Sequence, residues 1–380
     1  MSEKITSEGT IGRRSFMKRL GIAGAAAFPV SVLLNSKTRA NPSFFGPRIN
    51  SGDEAILRFL ATAELLESDL WVQYAELGGI GDNPPIEVDP TESLNLYQVA
   101  LSNLDPDGPQ YITSNTLDEI SHADFINAYL ASRGGEPVDL DEFRTLEGST
   151  ATGSTGIKRL TNLMHLNVDT SWYVRYRSAT NPDFGATYPQ AITLNDVTAI
   201  PRTNADFGSI DPSFGVPGNA HIQAIANVAA FHFAMIEQGG TSLYATMSQK
   251  ATDPEVLMIT LGIGGDEIAH FLEWVDFAGN GVQPPVAPFT DSVSGLTFPN
   301  FFSPLNPLIQ PSLIFPVPCE FISPELPHVA IIRPLTDKFA GAAAAVAALT
   351  ADGLFTGQST KFFNTLQSLA EAADAAFRGF

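Results

Sequence analysis

Two five-residue stretches carry the side chains with the most chemistry to offer: Asp118-Glu119-Ile120-Ser121-His122 and Asp266-Glu267-Ile268-Ala269-His270. On a helix, residues three apart share a face. Each stretch therefore presents a carboxylate and an imidazole to one point, which is how proteins hold transition metals. A lone Glu-x-x-His is an ordinary solvated pair, so the weight lies in the repetition. The repeat extends both ways. Leu65-Leu66-Glu67-Ser68 precedes the first copy and Met235-Ile236-Glu237-Gln238 the second, with Tyr74 and Tyr244 each seven residues beyond its glutamate. Pro137-Val138 and Pro285-Val286 stand fifteen and sixteen residues past His122 and His270. The chain thus contains two helical hairpins of one design, each with a glutamate on its first helix and Glu-x-x-His on its second.

The elements that must position these groups follow from periodicity and punctuation. A helix over 53–79, stopped by Gly78-Gly79, repeats Ile56, Phe59, Leu60, Ala63, Leu66, Leu70, Trp71 and Tyr74 at helical spacing and places Glu67 on that apolar stripe. Glu64, one turn earlier, is the competing ligand; alignment with Glu237 favours Glu67. A second helix, over 109–133, carries Glu119 and His122. A third, over 219–248, is apolar on nearly every side and carries Glu237. A fourth, over 253–279, has Asp253 as N-cap and Pro254 at its first position, and carries Glu267 and His270.

Between the hairpins the pattern predicts a short helix over 91–104 and a further crossover helix over 157–178, which buries Leu160, Leu163, Met164 and Val168 and packs outside the bundle. The stretch 180–218 reads as a long loop walling the site entrance. Twelve prolines between Pro284 and Pro334 exclude regular helix and central strand, which leaves an extended arm lying on the bundle or on a neighbouring subunit. Two helical patterns, over 335–349 and 360–378, end the chain with apolar faces that the bundle or a second chain must cover.

Composition narrows the function classes. The chain has 380 residues, 44% hydrophobic and 16% charged, with a net charge of −20, enough for a sizeable core and too apolar for disorder. Residues 1–40 hold seven of the 21 Lys/Arg and two of the 41 Asp/Glu, which leaves 14 basic against 39 acidic residues and a net of −25 for the remainder. So acidic a surface argues against nucleic acid and anionic membranes as partners. The single Cys319 excludes an internal disulfide and any cysteine-built metal site. Arg13-Arg14-Ser15-Phe16-Met17-Lys18 followed by an apolar run from Leu20 to Leu34 reads as a twin-arginine signal, cleaved after Thr38-Arg39-Ala40, so that the mature protein lies outside the cytoplasm without a membrane anchor. That route exports folded proteins, which suits one loaded with metal beforehand.

A glutamate from each of two helices and Glu-x-x-His from each of the other two is the ligand tally of the dimetal carboxylate bundles. Over residues 53–282 the chain resembles the ferritin-like superfamily, and its export signal and long tail are similar to those of bacterial desiccation- or stress-related members. The resemblance implies an all-α fold: a ferritin-like four-helix bundle of two repeated hairpins, extended by the crossover helix, the proline-rich arm and short helices over 283–380. It implies two iron or two manganese ions, with Glu119 and Glu267 bridging them and Glu67 with His122, and Glu237 with His270, as terminal ligands. Two divalent ions also balance four buried carboxylates, which cannot all ionise unaided. By the same resemblance Asp118 orients His270 and Asp266 orients His122. Tyr74 and Tyr244 either hydrogen-bond a ligand or pack in the core with a satisfied hydroxyl. His165, His221, His232 and His328 have no repeat partner and read as structural or surface residues.

Three functions stay open on these grounds. The first is a redox enzyme acting on dioxygen or peroxide, as an oxidase, peroxidase or catalase-like oxidoreductase. The second is an iron-handling protein. The third is a non-catalytic protective protein in which metals staple the fold. The tail favours association into a homo-oligomer.

Overall fold

The computed structural model describes residues 46–80, 96–101, 104, 107–170, 192–209, 219–277, 289–291, 293–298, 316, 318–319, 322–330 and 341–376. The export segment expected over 1–40, residues 171–178 of the expected crossover helix, Gly279 and more than half of the proline-rich arm lie outside the described residues.

Four long helices dominate: α1 (Ser51–Gly78), α2 (Gly108–Ser132), α3 (Ala220–Lys250) and α4 (Pro254–Asp276). They match the four core helices expected from periodicity to within three residues at each end. α1 packs along α2, and α3 along α4. Asn50 starts α1 by accepting from the N–H groups of Gly52 and Asp53, each at 3.0 Å. α2 ends at Arg133 and Gly134, whose φ of 72° is the left-handed turn that glycine adopts without a Cβ clash. α3 is buried from Ile222 to Ser248 on nearly every side. A helix apolar all round must be covered all round, and α4 and a small hairpin do this.

The two hairpins are bolted together at one end. Only Ala251, Thr252 and Asp253 separate α3 from α4. Asp53 of α1, 1% exposed, accepts from Thr252 N–H at 2.8 Å, its hydroxyl at 2.7 Å, and Asp253 N–H at 2.9 Å. Asp253 caps α4 by accepting from Glu255 N–H at 2.8 Å. Arg133, also buried, donates to Pro47 O at 2.7 Å and Asp253 Oδ2 at 2.9 Å, and pairs with Glu255.

The segment joining the hairpins departs from expectation. No helix forms over 157–170; the chain is extended there, and β1 (Leu166–Asp169) pairs antiparallel with β2 (Thr193–Val197). Leu160, Leu163 and Val168 are buried as anticipated, Met164 is half-buried, and Leu166 is buried in addition. The backbone donors that a helix would need are used elsewhere. Asp69 of α1 accepts from Leu160 N–H at 3.0 Å, Thr161 N–H at 2.9 Å and the Thr161 hydroxyl at 2.7 Å, and Asn162 Oδ1 takes Met164 N–H at 2.9 Å. Short polar side chains that bond nearby backbone favour such non-helical paths. Likewise the described part of 91–104 holds one 3₁₀ turn, Tyr97–Val99, and the stretch expected as loop over 180–218 contains β2 and a second such turn, Asn204–Phe207. A further short hairpin pairs β3 (Phe289–Thr290) with β4 (Thr297–Phe298).

The tail helices are α5 (Ala342–Ala351) and α6 (Thr360–Ala375), which pack on each other while α6 lies along α1. Phe362, Leu366, Ala370 and Ala373 of α6 are buried, so this chain itself covers that face. Asp374 accepts from Ala342 and Ala343 N–H, both at 2.9 Å, and so caps α5 from the end of α6. No described helix is long and apolar enough to cross a membrane.

Candidate metal centre

The two Glu-x-x-His motifs meet in the middle of the four helices. Glu119 and Glu267 are fully buried, and His122 and His270 are 8% and 5% exposed. Two groups of groups converge there: Glu64, Glu119, His122 and Glu267, and Glu119, Glu237, Glu267 and His270, with the ligand atoms of each group within 4.8 Å of one another. Glu119 and Glu267 belong to both, so they stand between two four-residue pockets. His122 Nδ1 lies 3.3 Å from Glu64 Oε2, 3.2 Å from Glu119 Oε2 and 3.9 Å from Glu267 Oε1. His270 Nδ1 lies 3.1 Å from Glu119 Oε1 and 3.3 Å from Glu237 Oε2. The outer nitrogens reach the aspartates crosswise: His122 Nε2 is 3.2 Å from Asp266 Oδ2, and His270 Nε2 is 3.4 Å from Asp118 Oδ2.

On the first helix the structure places Glu64, not Glu67, in the cluster. The Leu-Leu-Glu and Met-Ile-Glu alignment is out of register by three residues. In the spatial register Glu64 faces Glu237, and the aromatic residue seven positions on is Trp71 in one half and Tyr244 in the other. These cross over. Trp71 Nε1 donates to Glu237 Oε1 at 2.9 Å, and the Tyr244 hydroxyl donates to Glu64 Oε1. Tyr74 takes no part in the cluster: its hydroxyl pairs with His232 Nδ1 at 2.6 Å. Glu67 lines a cavity beside the site and stays within its field: burial, then the charges of Glu119, Glu64 and Glu237, hold its carboxyl well above the usual carboxylate range. Among the other histidines, His165 pairs with Asp196 at the surface, and His221 lies 3.4 Å from Asp206 and 3.1 Å from Asp291.

Sequence reasoning missed Asn115 and Trp274. Asn115 Nδ2 donates to Glu119 Oε1 at 2.9 Å and Glu237 Oε1 at 3.1 Å, and Trp274 Nε1 fixes the amide by donating to its Oδ1 at 2.6 Å. The available signal was position: Asn115 lies one turn before Glu119, on the same face. Trp71, Trp274 and Phe233 stack around these groups, with ring centroids 4.7–5.2 Å apart.

The electrostatics are those of a cation site. Burial, then the Glu237 charge, push the Glu119 carboxyl up to about 8. Burial, then Glu119, hold Glu267 well above the usual carboxylate range. Burial pulls the His122 imidazole down, but Glu119 and Glu64 outweigh it and raise it to about 11. His270 is raised in the same way, with Glu237, Asp118 and Glu119 overcoming burial. Four buried carboxylate oxygens nevertheless have no well-formed hydrogen bond: Glu64 Oε2 and Glu237 Oε2, each 3.3 Å from an imidazole Nδ1, and both oxygens of Glu267. Leaving such acceptors unpaired is costly. Here they converge, in a set of oxygen and nitrogen groups that could hold a metal ion.

No family model matches the chain, and no curated protein or solved structure is a match to it.

Proposed function

We propose that this chain is an exported ferritin-like protein that binds two iron or two manganese ions within its four-helix bundle and uses them for redox chemistry on dioxygen or peroxide in stress protection. The observation that carries the reading is the pair of Glu/His pockets sharing Glu119 and Glu267, with four oxygens that lack a well-formed hydrogen bond turned into them. Export rests on the Arg13-Arg14 segment alone.

Bound there, the ions supply one-electron steps and open positions for an oxygen ligand. The chain's own residues do the rest. Glu64 with His122 and Glu237 with His270 would each hold an ion, with Glu119 and Glu267 shared by the two groups. Asp266 and Asp118 accept the outer Nε2–H groups, which turns the Nδ1 lone pairs inward. Trp71 and Tyr244 donate to Oε1 of Glu237 and Glu64 and leave Oε2 of each for the ion. The aromatic stack keeps water out. The side chains of Asp118 and Asp266, 40% and 44% exposed, form the acidic face by which cations arrive.

Elemental analysis of the protein purified from a host that exports it tests the reading. Two iron or manganese ions per chain, lost in Glu119→Ala, support it. Folded protein that is metal-free and takes up neither ion refutes it. Oxygen release from peroxide, or dioxygen consumption, separates redox work from ions that merely staple the fold.

A further inference from the structure

A cavity of about 40 Å³ lies between α1, α3 and the tail helices α5 and α6. Its floor is Glu67 and Gly240, and its roof is Ala345, Val346, Leu349 and Leu366. Glu67 and Asp352 are the only charged residues among those lining it. Gly240 is the telling residue. It stands three positions after Glu237, as Glu67 stands three after Glu64, and a Cβ at this position would overlap Glu267 Oε2. Gly240 thus touches both the cavity and Glu267, the carboxylate shared by both pockets, whose oxygens have no hydrogen-bond partner. The duplicated halves differ here: one side carries a carboxylate, the other an opening.

The shape and lining select the occupant. A water needs about 10–15 Å³ on this measure, so the space takes about three water-sized groups. Where its walls are apolar, such a space takes up apolar gases. Hydrogen peroxide is no larger than dioxygen, but desolvating its hydroxyls without enough acceptors costs about 1–3 kcal/mol each. Glu67, Asp352 and Thr62 are the polar side chains of the lining; the rest of the wall is apolar, and against it dioxygen carries no such penalty.

We propose that this cavity is a dioxygen-binding pocket that delivers the gas past Gly240 to the α1–α3 side of the site, opposite the aspartate face by which cations enter. The pocket needs the C-terminal tail, because α5 and α6 supply its roof. Delivery to bound metal rests on the dimetal reading above; occupancy by a small apolar gas does not.

Xenon, as a probe of dioxygen's apolar character, tests occupancy on metal-free protein by ¹²⁹Xe NMR. Wild-type protein shows one saturable xenon site, Ala345→Phe abolishes it, and Val346→Ala, which enlarges the cavity, tightens it. Both positions lie on α5, away from every metal-binding side chain. In metal-loaded protein Ala345→Phe slows dioxygen consumption at least tenfold with metal content unchanged, while peroxide turnover changes less. No saturable xenon binding in either wild type or Val346→Ala overturns the pocket, as does an Ala345→Phe protein that consumes dioxygen at the wild-type rate. Xenon bound by a protein that takes up no metal sinks the dimetal reading and leaves the pocket standing.

Discussion

Replacing Glu267 by glutamine is expected to strengthen the metal-free protein while weakening its hold on metal. Glu267 is fully buried, neither of its oxygens has a hydrogen bond, and burial with the neighbouring Glu119 keeps its carboxyl far above 4.5, where the unfolded chain ionises. A group whose folded-state value is raised takes up protons on folding, so stability falls as pH climbs past the unfolded value. Each buried oxygen left without a hydrogen bond costs the fold about 1–3 kcal/mol, and the penalty on the carboxyl grows as pH rises above its unfolded value. Glutamine has the same shape, fits beneath Gly240, and brings an N–H₂ within 4.8 Å of the Glu64 and Glu237 oxygens that lack a well-formed hydrogen bond. With a urea slope of about 3 kcal/mol/M, relieving about 1–3 kcal/mol should place the unfolding midpoint of Glu267→Gln in chelator about 0.3–1 M above wild type at pH 7. The two proteins should coincide near pH 4.5, and added iron or manganese should then stabilise wild type much more than the variant. A variant less stable than wild type at pH 7, or a difference that ignores pH, would refute the claim that these carboxylates strain one another without a cation.

Metal uptake must displace protons held near His122, at about 11, and Glu119, at about 8. Apparent affinity should therefore rise from pH 6 to 8, with proton release visible by calorimetry in buffers of different protonation enthalpy. Asp118→Asn and Asp266→Asn should each lower metal affinity by about 10–100-fold, measured against a competing chelator, while leaving the metal-free melting temperature nearly unchanged. Glu64→Gln should weaken binding at least about tenfold by removing a ligand, and Glu67→Gln only slightly; the reverse order would restore the register read from sequence. Arg133→Ala leaves Asp253 and the Pro47 carbonyl without their shared donor and should destabilise the fold by about 2–4 kcal/mol in denaturant titration.

The core helices were legible because each advertises itself twice, by stripe and by punctuation: Asp253-Pro254 starts α4 and Gly78-Gly79 closes α1. The paired Glu-x-x-His motifs were legible because the hairpin repeats. The register of α1 was not. Glu64 and Glu67 both lie on its inner side, and Tyr74 resembled the partner of Tyr244, when the residue in that role is Trp71, a different type with the same kind of donor. Nor could the segment after Ile157 be read locally. Leu160 and Leu163 suit a helix face equally well, and the choice is made by Asp69, about ninety residues away, which takes the backbone donors of Leu160 and Thr161. Asn115 was missed because a single buried amide has no spacing signature.

Trp71 steadies the glutamate of the other hairpin, and Tyr244 returns the favour. A gene for one such hairpin would make a product complete only when two copies clasp, each finishing the other's half. Joining the copies end to end removes the need for them to stay identical. The tryptophan beside the tyrosine, and the glycine where its counterpart is a glutamate, are what that freedom leaves behind: one flank of the site free to specialise while the other keeps its original form.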